Sequence, residues 1–228
     1  IEVGEVKSMI QIFEEELPQV WVGVISGPNL AIEIANKAIT ATVVSSNNPQ
    51  VCCDTQQLLS SYYFRVYANS DRLGVELAGA LKNIYAIASG ISASMKMGQN
   101  TVSVLITRSL AEMSRFSAAL GANPMTFLGL SGVGDLFVTC TSPLSRNYQI
   151  GLALGRGLSI DEATVEVGHV AEGINTTRMI KEEAEKLQIY MPLVNALYET
   201  MFNGRPVEEV LKTMMLAAQN TDVEFIDK

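Results

Sequence analysis

Histidine is almost absent from this chain: His169 is the only one in 228 residues. Cysteine is scarce as well, limited to Cys52, Cys53 and Cys140. An odd number with one vicinal pair builds no disulfide framework, and a single histidine without a C-x-x-C pair gives no reason to expect a structural zinc site or any other metal. Free thiols point instead to a reducing, cytoplasmic compartment. No apolar run approaches about 18 residues without a charge, so no membrane span is expected. The opening IEVGEVKSMI lacks a signal-peptide pattern. Cations are in deficit, 16 Lys and Arg against 24 Asp and Glu, for a net charge of −8. That balance excludes nucleic acid as a general partner, because phosphates would go unneutralised. One local Arg or Lys cluster still suffices for a small anion.

What is present is core-forming material: 48% hydrophobic residues and 18% charged. The first 70 or so residues alternate helix and strand. VKSMIQIFEEELP has helical spacing and stops at Pro18; QVWVGVISG is β-rich and ends in a Gly27-Pro28 turn; NLAIEIANK reads as a short helix. ITATVVSS and YFRVYANSD read as strands around a helical NPQVCCDTQQLLSS, in which the vicinal cysteines are expected to pack. The alternation predicts an α/β remnant, the later part of a Rossmann-like parallel sheet, over residues 1–70. Residues 71–228 read as a larger all-α helical domain. It holds two long apolar helices (Gly74–Met95 and Thr101–Leu120), a Gly-rich loop (Leu130–Asn147), a helix capped at Ser159, and helices near Asn175–Leu187, Met191–Phe202 and Pro206–Leu216.

The Gly-rich turn of a dinucleotide site, G-x-G-x-x-G, is missing. Gly132-Val-Gly134 and Gly155-Arg-Gly157 come nearest, and both lie in helical territory. The chain also starts at a helix rather than at a first strand. The expectation is a chain lacking the N-terminal part of its nucleotide-binding domain.

Four stretches could carry chemistry. GVELAGALKNIYAIASG sets Lys82 and Asn83 into an apolar helix beside small residues such as Gly79, Ala86 and Gly90. Desolvation there would suit a lysine acting as base, with the small residues leaving room for a ligand; a lysine snorkelling at the helix edge is the alternative. SGVGDLFVTCTSPLSRNYQIG brings together Asp135, Thr139, Ser145, Arg146 and Asn147. Arg146 could fork onto a phosphate and the acid and amide could bind hydroxyls, or the stretch is an ordinary polar connection. In GHVAEGINTT, Glu172 stands near a helix start, where a cap or a solvated face is the simple reading, and His169 reads as a surface or structural residue. SGPN, Ser26–Asn29, is either a turn with Asn29 capping a helix or a crevice at a strand's carboxyl end.

Taken in order, ISGPNLAIEIANK, ELAGALKNIYAIASGI, GQNT, SGVGDLFVTCTSPLSRN and the EG after HVA resemble the bacterial-type NAD(P)-dependent glycerol-3-phosphate dehydrogenases. The resemblance covers essentially the whole chain. It implies reversible hydride transfer between a nicotinamide ring, of NAD or NADP, and C2 of sn-glycerol 3-phosphate or dihydroxyacetone phosphate. Lys82 matches the family's catalytic lysine, as proton acceptor in oxidation and donor in reduction. Asn83 and Thr139 match substrate-orienting positions, and Asp135 one that holds Lys82 or the substrate. Arg146 and Asn147 match residues at the substrate phosphate, with Ser145 beside them. Arg146 also matches a cofactor contact, as do Ala31, Val170 and Glu172; Gly27 and Asn29 match substrate contacts. A role in supplying glycerophospholipid precursors and a homodimer joined through the helical domain follow from the same resemblance. Because the nucleotide fingerprint is absent, this chain alone is not expected to turn over. Two other readings stay open: another two-domain dehydrogenase, of the 6-phosphogluconate or hydroxyacyl type, or a non-catalytic helical interaction module.

Overall fold

The computed structural model describes residues 7–169 and 171–216. It starts with helix α1 (Met9–Glu16), closed at its start by a reciprocal capping box between Ser8 and Gln11. A three-stranded sheet follows: β1 (Gly23–Ser26), β2 (Thr40–Ser46) and β3 (Phe64–Asn69), in that spatial order. Between the strands lie α2 (Ala31–Ala35) and α3 (Pro49–Leu59). Helix α3 packs Cys52 onto Val44 and Val66, while the neighbouring Cys53 is exposed rather than packed.

The sheet is mixed, not wholly parallel. Strands β2 and β3 run parallel, but β1 pairs antiparallel with β2, Ser26 opposite Val43. The reason lies in the connection. A parallel crossover needs a helix long enough to carry the chain back along the strand. Helix α2 has 5 residues and reverses the chain instead.

Helix α4 (Arg72–Ser94) is the axis of everything that follows. Its 23 residues include Leu81, Ile84, Tyr85 and Ile87, all 0% exposed, because helices cover it on nearly every side. Around it run α5 (Gln99–Ala119), α6 (Asp135–Thr141), α7 (Arg146–Gly155), α8 (Ile160–Val167), α9 (Glu172–Lys186), α10 (Pro192–Phe202) and α11 (Val207–Met215). Helix α8 starts at the capping box expected from Ser159 and Glu162. Among the described residues no helix is long and apolar enough to cross a membrane.

The stretch 130–147 is not a loop. A 3-10 turn (Pro124–Leu128) leads into a π-helical turn (Leu130–Gly134), which runs directly into α6; α7 begins at Arg146. Its glycines suggest a loop, but Gly132 serves packing: a Cβ there would lie 2.1 Å from the Phe127 carbonyl oxygen. Leu136 and Cys140, both nearly fully buried, hold α6 against the core despite its β-branched composition.

Glycine decides how α4 meets α7. A Cβ on Gly90 would sit 2.1 Å from the Tyr148 carbonyl oxygen, and one on Gly151 would sit 2.0 Å from that of Ile87. The two backbones therefore touch. On another side, Glu112 of α5 joins three helices. Its carboxylate accepts from the N–H groups of Leu193 (2.6 Å) and Val194 (3.3 Å) at the start of α10, and from the Tyr85 hydroxyl of α4 (3.2 Å). Burial is the main cause that pushes its carboxyl up to about 7, against the pull of those donors and of Arg115.

Two outcomes are expected. Gly151→Ala forces α4 and α7 apart and costs about 3 kcal/mol, read as a lower urea midpoint. The raised carboxyl of Glu112 means that the folded chain holds a proton the unfolded chain releases. Its contribution is thus complete below the ordinary carboxylate range and is lost as pH rises through about 7. Urea unfolding at about pH 5 and about pH 8 checks the sign: wild type loses stability across that window relative to Glu112→Gln, which cannot ionise.

Candidate active site

A cleft of about 480 Å³ opens between α1, the end of β1, α4 and α6. Ser26, Gly27, Asn29, Lys82, Asp135 and Thr139 supply its polar wall, and Met9, Val24, Val75 and Val138 its apolar one. Lys82 reaches the cleft from the middle of α4, and its Nζ lies 2.5 Å from Asp135 Oδ2. The lysine side chain is 20% exposed and the aspartate 2%. Lys82 is therefore not the snorkelling residue of the alternative reading; it is an ion-pair member on the cleft wall.

Asp135 owes its place to the π-helical turn, which delivers it as the first residue of α6. A carboxylate this buried needs donors. The Ser26 hydroxyl lies 3.4 Å from Oδ2 and the Gly27 N–H donates as well; the Thr139 hydroxyl lies 3.3 Å from Oδ1 but makes its shorter bond, 2.6 Å, to the Asp135 main-chain carbonyl. Burial lifts the carboxyl above the ordinary aspartate range, and Lys82 is the chief opposing pull. Cys140, one turn on, stays out of the chemistry, since burial pushes its thiol up to about 12.

Asn29 does not cap α2. Leu30 occupies the cap position without a side-chain bond, and the Asn29 amide donates to Thr42 Oγ1 at 2.8 Å. Its carbonyl Oδ1 is buried with no partner, in a residue that borders the cleft. Ala31 opens α2, is exposed and does not line the cleft.

A second cluster forms next to the first because Asn83 follows Lys82 on α4 and so faces about 100° away. Asn83 Nδ2 lies 3.3 Å from Glu172 Oε2; its Oδ1 accepts from Asn147 Nδ2 at 3.0 Å. Asn147 Oδ1 in turn accepts from the Gly173 N–H at 2.9 Å, in the first turn of α9. Arg146, exposed at the start of α7, has Nη2 3.9 Å from Glu172 Oε1. Ser145 caps α7 through the Tyr148 N–H. Val170 lies outside the described residues. His169 is exposed.

The sequence-derived residues thus fall into two groups. Gly27, Asn29, Lys82, Asp135 and Thr139 share the cleft, while Asn83, Ser145, Arg146, Asn147 and Glu172 do not line it. The small residues expected to leave ligand space on α4 are spent on protein contacts. Gly79 borders the cleft, but a Cβ there would lie 2.8 Å from Ser26 Oγ, and Gly90 is filled by α7. Sequence reasoning passed over Ser26, Thr42 and Gly173 as individual contacts. Ser26 adjoins Gly27 in the SGPN turn, which is a usable signal; nothing local marks Thr42 or Gly173.

Residues 71–212 match the family model described as NAD-dependent glycerol-3-phosphate dehydrogenase C-terminus, and residues 1–52 match that of the N-terminus. Curated glycerol-3-phosphate dehydrogenases, NAD(P)+, from Ectopseudomonas mendocina and Azotobacter vinelandii are each 57% identical over 99% of this chain. The chain spans 66% of the length of each, just under two thirds. The crystal structure of glycerol-3-phosphate dehydrogenase from Coxiella burnetii aligns with a TM-score of 0.89 at 40% identity, covering 92% of this chain and 65% of that one. With residues 71–212 matched by that family model, the chain belongs to the NAD-dependent glycerol-3-phosphate dehydrogenase family.

Proposed function

We propose that this chain carries the substrate-binding and proton-transfer half of a reversible NAD(P)-dependent oxidation of sn-glycerol 3-phosphate to dihydroxyacetone phosphate. The observation that carries the reading is the Lys82 Nζ, 2.5 Å from a buried carboxylate on the wall of a small cleft. A bound nicotinamide would supply the hydride acceptor for C2 in oxidation and the hydride donor in reduction. The chain supplies the rest. In oxidation Lys82, as the free amine, accepts the C2 hydroxyl proton while C2 loses its hydrogen as hydride; in reduction the ammonium returns the proton. Asp135 fixes the lysine, and Thr139 and Gly27 fix Asp135. The unpartnered Asn29 Oδ1 receives a substrate hydroxyl.

Arg146 is the cation for the phosphate, presented at the N-terminus of α7, where the helix dipole also favours an anion. Asn83 and Asn147 hold the α4–α7–α9 corner that carries Arg146 and Glu172. Arg146, Ala31, Val170 and Glu172 would meet the cofactor. In this reading residues 1–70 are the C-terminal part of a Rossmann-like NAD(P)-binding domain and residues 71–228 the helical substrate domain. A cytoplasmic location is supported by the free cysteines, and a homodimer by exposed Val104 and Met215 on the helical part. Supply of glycerophospholipid precursors follows from the product.

Two measurements test the reading. With the chain complemented by the segment of its relatives that it does not cover, Lys82→Ala lowers turnover about a thousandfold with the fold intact by circular dichroism; near-normal turnover removes the assignment. Calorimetric titration with glycerol 3-phosphate shows about tenfold or greater weakening in Arg146→Ala, with no change toward glycerol. Equal loss toward both ligands removes Arg146 from the phosphate.

A further inference from the structure

Asp135 Oδ2 has two side-chain donors, and one of them belongs to none of the positions assigned above. Lys82 approaches this oxygen from α4 at 2.5 Å; the Ser26 hydroxyl approaches it from the end of β1 at 3.4 Å. Ser26 is 8% exposed and borders the cleft. Its backbone is pinned from the sheet side, where its carbonyl accepts from the Thr42 hydroxyl at 3.1 Å and its register partner is Val43. Its side chain is admitted to α4 by Gly79, where any Cβ would lie 2.8 Å from Ser26 Oγ. Sheet, turn and helix thus make a specific place for this hydroxyl.

We infer that Ser26 is a positioning residue: by donating to the Asp135 oxygen that Lys82 also contacts, it sets where the lysine is held on the cleft wall. The inference deepens the proposed function and rests on it for its meaning, since Lys82 is the proton-transfer group there. Physically, a carboxylate with donors on both oxygens has its plane fixed. With Ser26 removed, the one side-chain donor left on Oδ2 is a long, flexible ammonium. The charge acting on Asp135 is that of Lys82 on α4; Cys140 on α6 keeps its proton, and the other groups are neutral: the Ser26 hydroxyl of β1, the Gly27 N–H of the turn after it and the Thr139 hydroxyl of α6.

The test uses the whole chain and needs no turnover. Asp135 is followed by its side-chain carbon signal in protein with labelled aspartate across a pH titration. Lys82 is followed by its rate of modification with an amine reagent, read by peptide mass spectrometry. In Ser26→Ala the Asp135 midpoint moves upward, because the ionised form has lost a donor, and Lys82 modification at neutral pH slows about twofold or more, because the carboxylate leans harder on the ammonium. Ser26→Thr, which keeps the hydroxyl on a strand position that suits β-branched residues, restores both values. Gly79→Ala, which displaces the hydroxyl without deleting it, reproduces both changes and adds nothing in the Ser26→Ala background. Unchanged values in Ser26→Ala overturn the inference, as does an Asp135 shift without a Lys82 change. Normal turnover in Lys82→Ala would instead strike the proposed function and leave these titrations standing.

Discussion

A carboxylate with 2% of its surface in contact with water cannot rely on solvent, and the site depends on how Asp135 is satisfied. An ammonium, the Ser26 hydroxyl and a backbone N–H converge on it from α4, β1 and the following turn, with the Thr139 hydroxyl of α6 close by. Each donor belongs to an element with its own reason to be there. The π-helical turn is what brings the acid to them: a regular α-helical entry into α6 would have a different winding and aim the side chain elsewhere.

The same economy governs α4. A helix covered on nearly all sides would normally exclude a charge, yet it carries Lys82 in its middle and Asn83 beside it. Both are tolerated because each meets its partners at once, Lys82 at Asp135 and Asn83 at Asn147 and Glu172. At these two residues burial and polarity coexist through pairing, which ties α4, α6, α7 and α9 into one block.

Much of this was legible in the sequence. The strands at ITATVVSS and YFRVYANSD, the Ser159 cap and the long helices have local causes, namely β-branched runs, cap chemistry and apolar spacing. The Lys82 and Asp135 stretches were visible through their motifs. Sheet direction was hidden, because it depends on α2 being too short for a crossover. The helical character of 130–147 was hidden because Gly132 and Gly134 suggest a loop, while the close approach to Phe127 that calls for glycine at 132 is made only in three dimensions. The roles of Gly79 and Gly90 as contact points for Ser26 and α7, rather than ligand space, were hidden for the same reason. Hydrogen bonds such as Asn147 to Gly173 join residues 26 apart and leave no periodic trace.

The meeting of α4 and α7 at Gly90 and Gly151 has a metrical consequence. Two helices whose backbones touch cannot slide past one another on a cushion of side chains. Lys82 lies on one and Arg146 begins the other, so their main-chain positions are held relative to one another by this contact, while their long side chains adjust around it. In the proposed function these residues grip the two ends of one small molecule. The helix pair then works as a rigid mount: the two charged side chains move on it, but the frame that carries them does not slide.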